Sequence, residues 1–147
     1  MQIKDFSRYR QVDETANTVL YVPDTDPDIL IVVPREGTLD TGEDARQNVQ
    51  HFHAYARALG RACGAVVIMA NMLSQEAEAR RAYQEIDTTL FYGGGLVVED
   101  ALSRALGSFF IGLSRPNVPT RLFDTVDGAI AWLKTMRPKQ REGDGHA

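Results

Sequence analysis

Acidic residues cluster at Asp24-Thr-Asp-Pro-Asp28, side chains of the type that ligates calcium through oxygen. An EF-hand loop starting at Asp24 needs glycine at its sixth position and glutamate at its twelfth. Ile29 and Arg35 stand there and Pro27 stiffens the middle, so the segment reads as a turn. His51 and His53 lie two apart on a helical stretch, which points them to nearly opposite sides. They cannot share a metal as histidines at i and i+4 do. His146 falls in the polar C-terminal segment. Cys63 is the single cysteine, with Arg61 as its nearest cation in sequence, and reads as a structural thiol. Gly93-Gly-Gly95 precedes a strand, whereas phosphate-cradling glycines follow a strand and open a helix. It reads as a flexible turn. No base, nucleophile and orienting group come together, so the expectation is a chain without catalysis, cofactor or metal.

Ser74 follows the loop Asn71-Met-Leu73 and precedes Gln75-Glu-Ala-Glu78. Its plain role is to cap a helix, its hydroxyl accepting from an early helix amide. Glu76 and Glu78 suit the positive end of that helix. The functional alternative is regulatory phosphorylation. Two carboxylates within reach of the added charge, and no arginine before Arg80, weigh against it.

These residues must be positioned by a chain that begins as β structure. Tyr9–Val12 is a short candidate strand, and Thr18–Val22 alternates β-formers before Pro23. Ile29–Val33 and Ala65–Met69 are continuously apolar, the pattern of strands covered on both faces. Asp40-Thr-Gly-Glu43 has the form of a capping box. After it, Ala45, Val49, Phe52, Ala56 and Leu59 form one apolar stripe of a helix, and Gly60 suits its C-terminus. A second helix from Ser74 turns Ala79, Ala82, Tyr83 and Ile86 inward. Leu96–Val98 and Thr120–Phe123 read as strands, and Thr125 caps a last helix carrying Val126, Ala129, Ile130, Leu133 and Met136. Strands first, then four helices interleaved with strands, predict an α/β domain: a mixed β-sheet with about four helices packed mainly on one face. The domain spans 1–137, and 138–147 is expected to be a disordered polar tail.

The helix over Asp100–Leu113 has an unusually wide apolar face. Ala101, Leu102, Ala105, Leu106, Phe109, Phe110 and Leu113 cover about half its circumference, more than one core contact requires. Ala101 and Phe110 lie at the edges of that arc and, with Phe109, are candidate interface residues. Arg104 and Arg115 stand beside them as candidate contacts to an acidic partner. The pairs Ser103/Gly107 and Ser108/Gly112 permit close approach of another backbone, most simply the protein's own sheet.

Composition agrees with one soluble domain: 147 residues, of which 44% are hydrophobic. No apolar run is long enough for a membrane span, and the first ten residues lack the apolar segment of a secretory signal. With one cysteine and no internal disulfide, a reducing cytoplasm is the expected location. The net charge of −4 argues against nucleic-acid binding. Charge is uneven: residues 1–100 carry nine basic and 16 acidic side chains, whereas 101–147 carry seven and four.

The stretch Leu96–Leu133 contains Gly107-Ser-Phe-Phe-Ile-Gly-Leu113, Arg115-Pro116, Pro119-Thr-Arg-Leu-Phe123 and Ala131-Trp-Leu133. It resembles the C-terminal half of small stand-alone bacterial proteins of the STAS/SpoIIAA-like type. The resemblance implies a STAS-like domain, a mixed sheet with helices on one face. In the better-known STAS domains a serine opening the helix after a central strand is phosphorylated by a partner kinase, within an Asp-Ser-Ser/Thr-Gly motif. Ser74 falls at about that place, in Asn71-Met-Leu-Ser74-Gln-Glu76, which lacks the Asp-Ser pair and the glycine. The expected function is a non-catalytic cytoplasmic protein–protein interaction or regulatory module, as a homodimer or with a protein partner. The alternative is a small-molecule or lipid-binding domain with an apolar pocket near helix 100–113.

Overall fold

A computed structural model describes residues 8–138. The expected tail at 138–147 therefore lies, beyond Pro138, outside the described residues. Six strands form the main sheet in the order β1-β2-β3-β5-β7-β8. They are β1 (Tyr9–Glu14), β2 (Thr18–Pro23), β3 (Ile29–Pro34), β5 (Cys63–Ile68), β7 (Phe91–Val97) and β8 (Thr120–Phe123). The first three run antiparallel, and β3, β5, β7 and β8 run parallel. The sheet is therefore mixed, within a single α/β domain.

Parallel neighbours need crossovers, and three helices supply them. They are α1 (Gly42–Leu59), α2 (Ala77–Gln84) and α3 (Ala101–Phe109). Each crossover advances one strand in the same direction, so connections of one hand place all three helices on one face. The fourth helix, α4 (Val126–Met136), follows the edge strand and covers the other face.

The alternation of β3 divides the core accordingly. Leu30 and Val32 pack with Phe52 and Ala56 of α1, and Ile29 and Ile31 with Val126, Ala129 and Leu133 of α4. Met69, Met72, Leu96, Val98 and Phe110 form a third cluster under α3. The helix ends follow from local chemistry. Thr41 accepts from the Asp44 amide at 3.1 Å and Thr125 from the Gly128 amide at 3.0 Å. Gly60 closes α1 at φ 84°, a conformation that favours glycine.

Three expectations are corrected. Gly93-Gly-Gly95 is not a flexible turn but the middle of β7. A Cβ on Gly95 would lie 2.9 Å from Ala129 Cβ, so glycine there lets α4 approach the sheet. Ser74 does not cap a helix. It is an exposed residue of a short strand, β6 (Met72–Gln75), and α2 starts after Glu76, which caps without a side-chain hydrogen bond. The β6 strand pairs in parallel with β4 (Thr38–Asp40), a two-stranded sheet that sequence pattern did not reveal. The Asp40 box is displaced too, because Thr41 caps α1 and Asp40 ends β4, buried at 1% exposure.

Candidate functional site

The α3 helix begins with a reciprocal cap. The Ser103 amide donates to Asp100 Oδ1 at 2.7 Å, and the Asp100 amide donates to Ser103 Oγ at 3.1 Å. Ser103 and Gly107 then face the protein. A Cβ on Gly107 would lie 2.9 Å from Leu122 Cδ2 and 3.2 Å from Val98 Cγ1, so this small-residue pair serves packing on the chain's own sheet. After Phe109 the helix continues as one π-helical turn, Phe110–Ser114, and Arg115 ends it in the left-handed region at φ 47°.

The two phenylalanines lie on different sides of the helix. Phe110 is core: it is 7% exposed and meets the Tyr83 ring edge-on at 6.4 Å. Its expected place at an interface is thereby corrected, since the apolar arc at that edge is filled by Tyr83 and Met72. Phe109 is 54% exposed, with the Arg80 guanidinium 5.3 Å above its ring. Ala101 and Arg104 are exposed on the same helix, Arg104 pairing with Asp124 at 3.0 Å. Arg115 is exposed in the loop beyond.

Sequence reasoning missed what adjoins this helix. The exposed large hydrophobic residues among the described residues are Leu39, Leu73, Leu102 and Phe109. Leu39 is in β4 and Leu73 in β6, its ladder partner, and β6 packs against α3. All four thus lie on β6 or on an element that touches it. The signal was present only as single leucines in segments without periodicity.

A cavity of about 80 Å³ lies between the main sheet, β4 and β6, helices α1 and α2, and Phe110 of the turn after α3. Val32, Phe52, Met72, Leu96 and Phe110 give it apolar walls, and Asp40, Gln75, Asn17, Thr18 and Tyr83 contribute polar groups. It is well below the roughly 300–1,000 Å³ of sites for drug-sized ligands. The Asp40 carboxylate accepts from Asn17 Nδ2 and the Tyr83 hydroxyl, each at 3.3 Å, and from Gln75 Nε2 at 3.1 Å. Burial pushes its carboxyl above the ordinary range, outweighing those hydrogen bonds. Burial, with Asp40 close by, likewise pushes the Tyr83 hydroxyl far up, so it stays protonated and donates. Asn48, 2% exposed on α1, donates to Tyr83 Oη at 3.0 Å and accepts from Thr15 Oγ1 at 2.6 Å.

The other singled-out residues are structural in place. His51 Nδ1 is 2.7 Å from Asp13 Oδ2, and His53 Nε2 accepts from the Asp87 amide at 3.1 Å. Cys63 opens β5, and burial pushes its thiol up to about 12, away from nucleophilic thiolate chemistry. Asp26 and Asp28 hold Arg137. Among the described residues no group of three or more His, Cys, Asp or Glu is placed to hold a metal ion, and no helix is long and apolar enough to cross a membrane.

The chain is thus an α/β domain with an exposed apolar face on one crossover helix and a small polar-ended cavity behind it. Residues 24–137 match a family described as a domain of unknown function, DUF7793, and the chain belongs to that family. No curated protein and no solved structure matches it.

Proposed function

We propose that the chain is a non-catalytic, cytoplasmic protein–protein interaction module of STAS-like architecture. The observation that carries this reading is the exposure of Leu102 and Phe109 on one side of α3, with Leu73 exposed on β6 beside it and Leu39 on β4 next to β6. Exposed large apolar groups on neighbouring elements are the raw material of a contact surface, and Leu102 and Phe109, seven positions apart on α3, share one side of that helix. The partner is a second copy of the chain. An apolar face can meet itself about a two-fold axis without complementary charge. Arg104 is already engaged by Asp124. The STAS-like reading rests on the Leu96–Leu133 resemblance and on helices that lie mainly on one face of a mixed sheet. A serine phosphoswitch at Ser74 is not part of the proposal, because Ser74 lies in a strand rather than at the opening of a helix. Sedimentation of the unmodified protein beside a Phe109→Asp variant tests the reading.

A further inference from the structure

Two buried carboxylates in this protein are treated differently. Asp28, 1% exposed, is held by the guanidinium groups of Arg137 and Arg61. Asp40, equally buried, accepts from side chains that are all neutral among the described residues: Asn17, Gln75 and Tyr83. Among the described residues no lysine or arginine forms an ion pair with Asp40. A buried charge without a counter-charge is costly unless something neutralises it. Beside it, Gln75 Oε1 is buried and accepts no hydrogen bond from the protein. An orphaned buried acceptor is rare and calls for an explanation. Both residues line the cavity, whose remaining walls are chiefly aliphatic and aromatic.

We propose that this cavity binds a small primary amine as its ammonium ion. The ammonium donates to the Asp40 carboxylate and to Gln75 Oε1, and a short apolar body lies along Val32, Phe52, Met72 and Phe110. An ammonium carries the missing positive charge and three donors, which serves both acceptors at once. A quaternary ammonium has no hydrogen for Gln75. An alcohol offers one donor and no charge. The 80 Å³ of the cavity limits the body to a few carbons and leaves no room for a lipid chain. This site is distinct from the α3 face: Phe109 is not among the residues lining it.

The test is titration of the isotope-labelled full chain with n-butylammonium, n-butanol and tetramethylammonium, followed by backbone amide resonances. Saturable shifts at Gln75, Tyr83 and Gly94 are expected with n-butylammonium, with binding weaker by about tenfold or more for the other two. Asp40→Asn and Gln75→Met each weaken butylammonium binding by about the same factor, which is a large part of a small ligand's affinity. If Asp40→Asn does not fold, Gln75→Met decides, since it keeps the side chain's length and removes the acceptor. Absence of saturable shifts in the unmodified protein overturns the proposal. So does butanol binding as tightly as butylammonium, or Gln75→Met binding unchanged. Failure here leaves the docking face untouched, because that reading is measured through Phe109 and the state of association.

Discussion

Asp28 and Arg137, 109 positions apart, form a two-point ion pair: Arg137 Nε donates to Asp28 Oδ2 at 2.8 Å and Nη2 to Oδ1 at 3.0 Å. The Tyr92 hydroxyl adds a third hydrogen bond to the same carboxylate at 3.0 Å. Arg137 also reaches Asp26 at 3.0 Å, so the end of α4 is tied to the turn between β2 and β3. The acidic run that suggested a calcium loop is therefore the acceptor side of a clamp.

Removing the guanidinium should cost stability without changing the fold. Breaking a fully buried pair costs about 3–5 kcal/mol. Arg137 is about a third exposed and Arg61 remains near Asp28, so about 2 kcal/mol is expected for Arg137→Met. Urea unfolding measures it. A loss under about 0.5 kcal/mol, the range of ordinary surface substitutions, would mean the clamp contributes nothing.

The Asp40 carboxyl gives a pH dependence of stated sign. Burial raises its folded-state value above the ordinary 3.8. The folded state then holds that proton more tightly than the unfolded chain does. The resulting stabilisation is full below the unfolded value and is lost as pH rises through the raised one. Asp26 works in the opposite sense. Burial raises it, but hydrogen bonds from Arg137 and Thr25, with Lys134 nearby, prevail and lower it, so its contribution fades in acid. Asp40→Asn removes only the first effect. Its stability relative to the unmodified protein should increase from about pH 4 to about pH 7. A difference that stays constant across that range would contradict a raised Asp40.

Two glycines make a contrasting pair. At Gly95 a methyl group would meet Ala129 Cβ at 2.9 Å and Phe123 at 3.2 Å, whereas at Gly112 nothing lies within 4 Å. Gly95→Ala should cost about 1–3 kcal/mol by forcing α4 away from the sheet. Gly112→Ala, with no positive φ to strain, should stay within about 0.5 kcal/mol of the unmodified protein or gain slightly. Equal thermal shifts for the two would show that β7 does not need its glycines for close packing.

What was legible in the sequence was whatever periodicity records. The helix α1, the caps at Gly60 and Thr125, and the alternation of Thr18, Leu20 and Val22 stand as read, except that in the α1 stripe the amide Asn48 is buried and Val49 only half-buried. Three glycines in a row read as a turn because their role depends on a helix some 35 positions later, and local propensity carries no trace of it. Asp40 and Ser74 were misassigned for one reason. The ladder joining β4 to β6 is parallel and non-local, and residues that could cap a helix were instead drawn into it. At the candidate site, the half-circle of apolar residues on α3 was visible, but its division was not. Phe110 continues the inward line of Ser103 and Gly107, whereas Phe109 and Leu102 share a side left in solvent.

Sedimentation velocity over a range of concentrations tests the docking face most directly, with unmodified protein, Phe109→Asp and Phe110→Asp compared. Phe109 is 54% exposed, so at concentrations too low for association its replacement by aspartate should leave the melting curve almost unchanged. Phe110 is 7% exposed, and burying a carboxylate there should destabilise the fold by several kcal/mol. The unmodified protein is expected to form a reversible dimer that Phe109→Asp converts to a folded monomer. An unmodified protein that stays monomeric at high micromolar concentration, or a Phe109→Asp variant that dimerises as before, would contradict it.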